Sequence, residues 1–142
     1  MGFTVPIADV LLRVQTRLEE KARDHTITLF RKIVTRTPVD TGRTRANWNV
    51  SFGAPNYSYG PSVVLSRSMA QIAKIRKYPI GVKVYLANGA PHIRLLEYGG
   101  YPQSPKRGTG KTAGGFSTQA PAGMVRISVA EFGQPISAGV SV

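Results

Sequence analysis

The sequence contains no cysteine, so it offers neither a disulfide framework nor a thiolate site. It also lacks any apolar run approaching the roughly 18 residues that a membrane-spanning helix needs. The N-terminus has no basic segment followed by an apolar one, and Asp9 comes early, so no secretion signal is expected. These absences predict a protein that is made in a cytoplasm and is not inserted into a membrane.

Acidic residues are scarce, because seven Asp and Glu stand against nineteen Lys and Arg, a net charge of +12. The imbalance lies in residues 41–130, which hold twelve bases and one acid, Glu97. Residues 1–40 are nearly balanced, with seven bases and five acids. A field of this sign favours a polyanion or an acidic protein surface as a partner, although it also serves solubility.

Candidates for catalysis or metal binding are few. His25 and His92 are the two histidines, and without cysteines they match no metal-ligand spacing. His92 is expected to hydrogen-bond within its own helix. Glu97, on a different face of that helix, should pair with a nearby arginine. The candidates for this pairing are Arg94, Arg43 and Arg45. We therefore expect no enzyme activity, no metal site and no cofactor.

Residues 6–36 have the spacing of a long amphipathic helix. Its apolar stripe comprises Ile7, Val10, Leu11, Val14, Leu18 and Ala22, and resumes at Leu29, Phe30, Ile33 and Val34. Such a helix would be about 45 Å long, which exceeds the width of a domain of this size. Three alternatives follow: it overhangs and buries its stripe on a neighbouring subunit, it wraps along its own sheet, or it breaks at Thr26–Thr28, where β-branched residues lower helix propensity.

Two strand patterns follow, at Trp48–Phe52 and Val82–Leu86, with apolar and polar residues alternating in each. Trp48, the sole tryptophan, is expected to anchor the core between the long helix and the sheet, with base stacking as the alternative. Between the strands a second helix is predicted, capped by Ser62 and reaching about Lys77. A short helix should begin near Pro91 and end at Gly99-Gly100.

Residues 99–121 form a Gly/Pro-rich arm with six glycines and no acid. A stretch of this kind inside a compact domain is usually functional or mobile, so we expect it to order against neighbouring subunits. The arm residues expected to make these contacts are Tyr101, Pro102 and Phe116. Residues 122–132 fit either a helix or a strand, and residues 133–142 form a Gly/Ser/Val-rich tail.

Basic side chains on turns and loops are the candidate partner-contact residues. They are Arg43, Arg45, Lys106, Arg107 and Lys111. Such residues can contact phosphates without reading bases, or can meet acidic surfaces of neighbouring proteins. The sequence leaves both alternatives open.

Three stretches together resemble a known family. They run from Thr37 to Trp48 (Thr-Pro-Val-Asp-Thr-Gly-Arg-Thr-Arg-Ala-Asn-Trp), from Tyr85 to Gly99 (Tyr-Leu-Ala-Asn-Gly-Ala-Pro-His-Ile-Arg-Leu-Leu-Glu-Tyr-Gly) and from Pro121 to Arg126 (Pro-Ala-Gly-Met-Val-Arg). In order and spacing they are similar to the tail-completion, or head–tail joining, neck proteins of long-tailed bacteriophages. That family also includes proteins described as minor tail components. The chain departs from its pattern at His92, where tyrosine is common, and at Ile93, where alanine is common.

The resemblance implies a single α+β domain over residues 1–142. In it the long helix (1–36) packs on a small, mostly antiparallel sheet, with further short helices, the arm (99–121) and the tail (133–142). It favours a helix at 122–132.

The resemblance also implies a role without enzyme activity or cofactor. The implied assembly is a ring, expected to contain six copies, at the virion neck, made in the host bacterial cytoplasm. The implied partners are the tail tube or tail terminator, the head–tail connector and, by non-specific contact, packaged DNA. A non-specific nucleic-acid-binding basic domain is the alternative.

Overall fold

The computed structural model describes residues 7–79, 81–99, 112–113 and 116–132. In chain order the elements are α1 (Ile7–Arg36), α2 (Arg43–Ala46), β1 (Trp48–Phe52), α3 (Leu65–Ala73), a 3-10 turn (Lys74–Lys77), β2 (Val84–Asn88), α4 (Ile93–Tyr98), β3 (Thr112–Ala113), β4 (Phe116–Ser117) and α5 (Val125–Phe132). A long N-terminal helix, a two-stranded antiparallel sheet and short helices confirm the predicted α+β class.

Helix α1 is unbroken, so the expected break at Thr26–Thr28 does not occur. The hydroxyl groups of Thr26 and Thr28 donate hydrogen bonds to carbonyls four residues earlier, at 2.8 and 2.9 Å, which accommodates both side chains in the helix. The first buried side chain is Ile27, and residues 7–22 project beyond the rest of the described structure. We call residues 7–22 the overhang. Residues 7–22 therefore do not wrap along the protein's own sheet, whereas the second half of α1 packs into the core.

The core lies between the second half of α1, the β1–β2 sheet, α3 and the 3-10 turn. Its fully or nearly buried members are Ile27, Phe30, Ile33, Val34, Trp48, Val50, Ile72, Ile75, Tyr78, Leu96 and Met124. Trp48 is 4% exposed, and its Nε1 atom donates to Thr37 Oγ1 at 2.8 Å. The predicted role of Trp48 as a core anchor is confirmed, and the base-stacking alternative is wrong because the ring is inaccessible.

Strands β1 and β2 pair antiparallel, with Trp48 opposite Asn88 and Phe52 opposite Val84. Strand β2 begins two residues later than predicted, because Val82 is 40% exposed and lies outside the sheet. Asn49, predicted to face solvent, is buried instead. Its amide donates to the carbonyls of Ser58 and Asn56 and so holds the loop after β1 against the sheet.

The second predicted helix is shorter than expected at both ends. Helix α3 begins at Leu65 after Val64, which supplies no side-chain cap, so Ser62 does not cap it. It ends at Ala73, and the chain tightens into the 3-10 turn, which places Ile75 in the core beside Ile72.

Helix α4 ends at Gly99, whose φ of 77° suits a glycine, as predicted. Residues 125–132 form helix α5, which settles the helix-or-strand alternative. Phe116 is half-buried in β4, which pairs with β3. The other arm residues for which partner contacts were expected lie outside the described residues; they are Tyr101, Pro102, Lys106, Arg107 and Lys111.

Candidate assembly surface

The second and third resemblance stretches meet at Glu97. Its buried carboxylate accepts hydrogen bonds from the backbone N–H groups of Met124, Val125 and Arg126, each at 2.8 Å. Arg126 Nε donates to the same carboxylate at 3.1 Å, and its Nη2 donates to the Glu97 carbonyl at 2.7 Å. The predicted pairing of Glu97 with Arg94, Arg43 or Arg45 is therefore wrong. Glu97 caps the first turn of α5, where free N–H groups and the helix dipole favour a negative charge.

These contacts set the ionisation of Glu97. Burial alone would raise its pKa, but the three backbone N–H donors and Arg126 together outweigh burial and hold the pKa below its ordinary value. Glu97 is therefore ionised at neutral pH, and both of its carboxylate oxygens accept hydrogen bonds from this chain.

The first and second stretches meet at Thr44. Its carbonyl accepts from Asn88 Nδ2 at 2.8 Å, and its hydroxyl lies 2.9 Å from His92 Nε2. The predicted local hydrogen bond of His92 is therefore replaced by one to a residue 48 positions away. Val39 also bonds Gln119, which lies two residues before the third stretch. The Val39 N–H donates to the Gln119 side-chain oxygen at 2.7 Å, and the Val39 carbonyl accepts from the Gln119 side-chain nitrogen at 2.8 Å. The second stretch is thus hydrogen-bonded both to the first and to the third.

The two described basic candidates, Arg43 and Arg45, lie on α2 and are partly used by the fold. Arg43 is exposed, but its Nε donates to the Gly60 carbonyl at 2.8 Å and its guanidinium lies 4.2 Å from the centre of the Tyr59 ring. Arg45 is half-buried rather than directed outward. Among the described residues, these two therefore do not form an open phosphate-binding cluster.

The overhang carries a row of exposed apolar side chains. Ile7, Leu11, Val14 and Leu18 are 75%, 62%, 50% and 63% exposed. Their spacing of four, three and four residues is that of a helix seam which packs knobs into the holes of a partner helix. We call these four residues the seam. Monomeric proteins rarely expose a contiguous apolar row of this kind unless it serves as a contact surface.

The seam and the protein's own core share part of one side of α1. Leu29 and Ile33 follow Leu18 by 11 and 15 residues, which at about 100° per residue places them about 20° and 60° round the helix from it. Ile27, nine residues after Leu18, lies on the opposite side, so the buried face of α1 is broader than the predicted stripe. The seam is exposed because it lies on the overhang.

The base of the overhang is braced by neighbouring elements. Arg23 donates to the Tyr78 carbonyl at 2.9 Å, and Asp24 pairs with Arg76 at 3.1 Å. On the side of α5, the ring of His25 meets the edge of Phe132 at 5.5 Å between centroids.

About three turns further toward the C-terminus of α1, Arg36 bonds Glu131 at 2.6 Å. That hydrogen bond is the main cause of the lowered pKa of Glu131. These contacts fix the direction in which the seam is presented.

No protein-family model matches the chain, and no curated protein and no solved structure matches it either.

Among the described residues, no group of His, Asp and Glu is arranged to hold a metal ion. None of the helices in the described part of the chain is both long and apolar enough to cross a membrane. The feature that sequence analysis only half identified is the seam, whose residues were recognised but whose exposure on an overhang was left as one of three alternatives.

Proposed function

We propose that this protein is a structural subunit of the neck of a long-tailed bacteriophage. In this role six copies form a ring that completes the tail and joins it to the head connector around the DNA channel. The observation that carries the proposal is the set of hydrogen bonds that join the second resemblance stretch to the third through Glu97 and to the first through Thr44. A pattern whose parts meet in one folded unit is better evidence than three unconnected matches.

The overhang supports an assembly role rather than a catalytic one. Each seam side chain would gain about 1.5–3 kcal/mol on full burial, so covering the row drives association strongly. Because the seam lies on the exposed overhang, folding of the subunit does not cover it and does not compete with that association. A ring subunit needs such a second surface, and heterologous contacts of this kind close into rings.

The positive charge is consistent with a ring around packaged DNA, where contacts to phosphates need no base readout. Non-specific nucleic-acid binding by the isolated domain is a second candidate, favoured by the twelve bases and one acid of residues 41–130. It predicts that the monomer binds duplex DNA with an affinity that falls steeply with salt.

The decisive experiment is electron microscopy of phage particles made without this protein. The proposal expects heads and tails that are separately complete but unjoined, with joining restored when the protein is added to the lysate. Particles of normal appearance would contradict it.

Complementation with variants refines the same experiment. The variant Leu11→Ser/Leu18→Ser, which loses two seam residues, should fail to restore joining. Leu12→Ser provides the matched control, because Leu12 is 61% exposed on the same overhang but lies on the other side of the helix. If both variants failed equally to restore joining, the seam would not be the surface that joining requires.

A further inference from the structure

We propose that the outer edge of β2 is a strand-binding site, and that residues 136–142 of the same chain occupy it as a third strand parallel to β2. The edge belongs to the described structure, whereas residues 136–142 lie outside the described residues. The inference does not rest on the proposed function, because it concerns the sheet and not the overhang. It follows from the hydrogen bonds of the sheet, the place where α5 ends and the sequence that comes after α5.

The outer edge of β1 is closed by α3. The N–H of Trp48 donates to Ser68 Oγ at 3.2 Å, and the N–H of Val50 donates to Gln71 Oε1 at 3.3 Å. In an antiparallel pair, residues that bond the partner strand alternate with residues whose N–H and C=O groups point outward. Trp48 and Val50 are therefore the outward residues of β1, and side chains of α3 satisfy them.

The outer edge of β2 is open within the described part of the chain. Val84 and Leu86 lie opposite outward residues of β1, so their own N–H and C=O groups also point outward. The N–H of Gly53, which donates to the Lys83 carbonyl at 2.8 Å, agrees with this alternation. No described residue forms a hydrogen bond with the outward groups of Val84 and Leu86. An edge of this kind readily accepts another strand.

The side chains along this edge are also incompletely covered. Val84 and Leu86 pack against the core on the same face of the sheet as Val50. Both are only half-buried, whereas Val50 is 4% exposed. A strand beside β2 that carried apolar residues on this face would cover them. Free backbone groups and uncovered apolar side chains thus occur at one edge.

Strand β2 runs in the same direction as α1. Trp48, opposite the last residue of β2, donates to Thr37, which directly follows α1. Phe52, opposite the first residue of β2, stacks on Tyr78 at 5.4 Å between ring centroids. The Tyr78 carbonyl in turn accepts from Arg23, halfway along α1. Strand β2 therefore begins at the level of Arg23 and ends at the level of Thr37.

Helix α5 runs antiparallel to α1 and ends at the level where β2 begins. Ser128, in the middle of α5, accepts from Arg36 at 2.9 Å, near the end of α1. Phe132, the last residue of α5, meets the ring of His25, two residues from Arg23. A chain that leaves α5 and reverses direction there would run parallel to β2.

Helix α5 also lies on the β2 side of α1. Arg36, which bonds α5, lies about 120° round α1 from the core residue Phe30. Asp24, which pairs with Arg76 in the 3-10 turn after α3, lies about 120° from Phe30 in the opposite direction. Because α3 packs along β1, the flank of α1 that carries α5 is the one beside the open edge of β2.

A strand added at this edge after α5 satisfies the handedness of parallel connections. Seen from α1 with β2 running upward, L-residues whose side chains face the viewer point their N–H and C=O groups to the right. The open edge therefore lies to the right of β2. A chain that passes down through α5 on the viewer's side and returns upward at this edge makes a right-handed crossover, as about 98% of such connections do.

Residues 136–142 have the sequence pattern of a strand with one apolar face. Ile136, Ala138, Val140 and Val142 alternate with Ser137, Gly139 and Ser141, and none of the seven is charged. Between α5 and this segment stand Gly133, Gln134 and Pro135, which have the composition of a turn and the length of a common helix-to-strand loop. Seven extended residues span about 23 Å, enough to run beside the whole of β2.

The proposed pairing gives the two faces of the segment different roles. With its apolar side chains toward the core, the N–H and C=O groups of Ser137, Gly139 and Ser141 face β2. Val140→Asp would place a charge against the core and should break the pairing. Ser141→Asp places the same charge on the other face of the sheet and is the matched control.

Amide hydrogen exchange on the full-length protein tests the pairing, because it reports each N–H of β2 separately. We expect the outward N–H of Leu86 to exchange within about tenfold of the N–H of Ala87, which bonds β1. Val140→Asp should speed exchange at Leu86 by at least about tenfold and leave Ala87 unchanged, whereas Ser141→Asp should change neither. Fast exchange at Leu86 in the unaltered protein, or equal effects of the two variants, would overturn the inference.

Engineered cysteines identify the chain that supplies the strand, since the protein has no cysteine of its own. Tyr85 alternates with Val84 and Leu86 and so lies on the face of the sheet away from the core. Tyr85→Cys should form a disulfide within the monomer when it is combined with one of three substitutions on the matching face of the segment. These are Ser137→Cys, Gly139→Cys and Ser141→Cys.

The control for cross-linking is Val140→Cys, which places the thiol on the core side and should not form a disulfide with Tyr85→Cys. Non-reducing gels read the result. A cross-linked monomer supports the inference. A cross-linked dimer would assign the strand to a second copy and overturn it, as would the absence of any cross-link on the matching face.

Discussion

The Oε2 atom of Glu97 lies 2.8 Å from the backbone nitrogen of Met124, so a carboxylate on α4 caps the start of α5. Through this contact a side chain near the middle of the sequence determines where the last described helix begins. Its partner Arg126 also covers the Tyr98 ring, with the guanidinium 4.7 Å from the ring centre, and so shields the contact from one side.

Protonation of Glu97 should weaken the fold in acid. Because its pKa is lower in the folded than in the unfolded protein, the unfolded state binds the proton more readily. The stabilisation is complete above the unfolded pKa of about 4.3 and is lost as the pH falls through the lower folded value. Urea unfolding between pH 7 and pH 3 should therefore show a steep loss of the free energy of unfolding at the acid end.

The variant Glu97→Gln tests whether protonation of Glu97 causes that loss of stability in acid. At neutral pH it should cost about 1–3 kcal/mol, because the amide nitrogen cannot accept from the N–H groups that the carboxylate serves. Its unfolding free energy should then vary less with pH than that of the unaltered protein. Glu131→Gln is the control, since Glu131 is solvent-exposed and its removal should change the free energy of unfolding much less than Glu97→Gln does. A pH profile left unchanged by Glu97→Gln would contradict this account.

Gly123→Ala should destabilise the protein through two effects. Gly123 has φ of 80°, where an L-residue is strained, and an added Cβ would lie 2.5 Å from the Glu97 carbonyl oxygen. Gly81→Ala is the matched control, because Gly81 has φ of 99° but open space at its Cβ. We expect Gly81→Ala to cost about 1–2 kcal/mol and Gly123→Ala clearly more. Equal losses in denaturant titration would show that the close approach to Glu97 does not matter.

Trp48→Ala should reduce the free energy of unfolding by about 3–5 kcal/mol, as large aromatic truncations in a packed core do. Thr37→Val tests the polar part of the anchor, since it leaves the buried Trp48 N–H without its acceptor and should cost about 1–3 kcal/mol. Denaturant titration measures both losses. A loss below about 1 kcal/mol for Trp48→Ala would instead place this ring outside the cooperative core.

The two halves of α1 should respond differently to truncation. Ile33→Ala removes a side chain from the core and should cost about 2–5 kcal/mol. Leu18→Ala should change the stability of the isolated subunit by less than about 0.5 kcal/mol, because Leu18 is on the exposed overhang. If Leu18→Ala were strongly destabilising in a species shown to be monomeric by its mass, the seam would be buried within the subunit.

Local patterns predicted α1, β1, α4 and the anchoring role of Trp48, because each depends on periodicity or on the size of one side chain. The exposure of the seam was not available from sequence, since the spacing of the apolar residues is the same whether the helix overhangs or packs along its own sheet. It depends on where the elements packed against α1 end. The buried face is also broader than the predicted stripe, because Ile27 lies on the side of the helix opposite Leu18.

Other features depend on contacts between distant residues. Glu97 and Arg126 are separated by 29 positions, and Arg94, Arg43 and Arg45 were equally plausible partners until the fold placed α5 beside α4. Asn49 followed the alternation of a half-buried strand, yet the returning loop covers it and uses its amide. In both cases a polar residue is buried because it satisfies backbone groups elsewhere, which single-sequence periodicity does not record.

A straight helix held at one end behaves as a lever. From His25, where Phe132 braces it, to Ile7 the rod extends about 27 Å. A tilt of about 10° at that pivot would carry its tip through roughly 5 Å, about one helical turn. A partner bound at the far end of α1 would therefore be displaced by about one helical turn when the body of the protein rotates slightly.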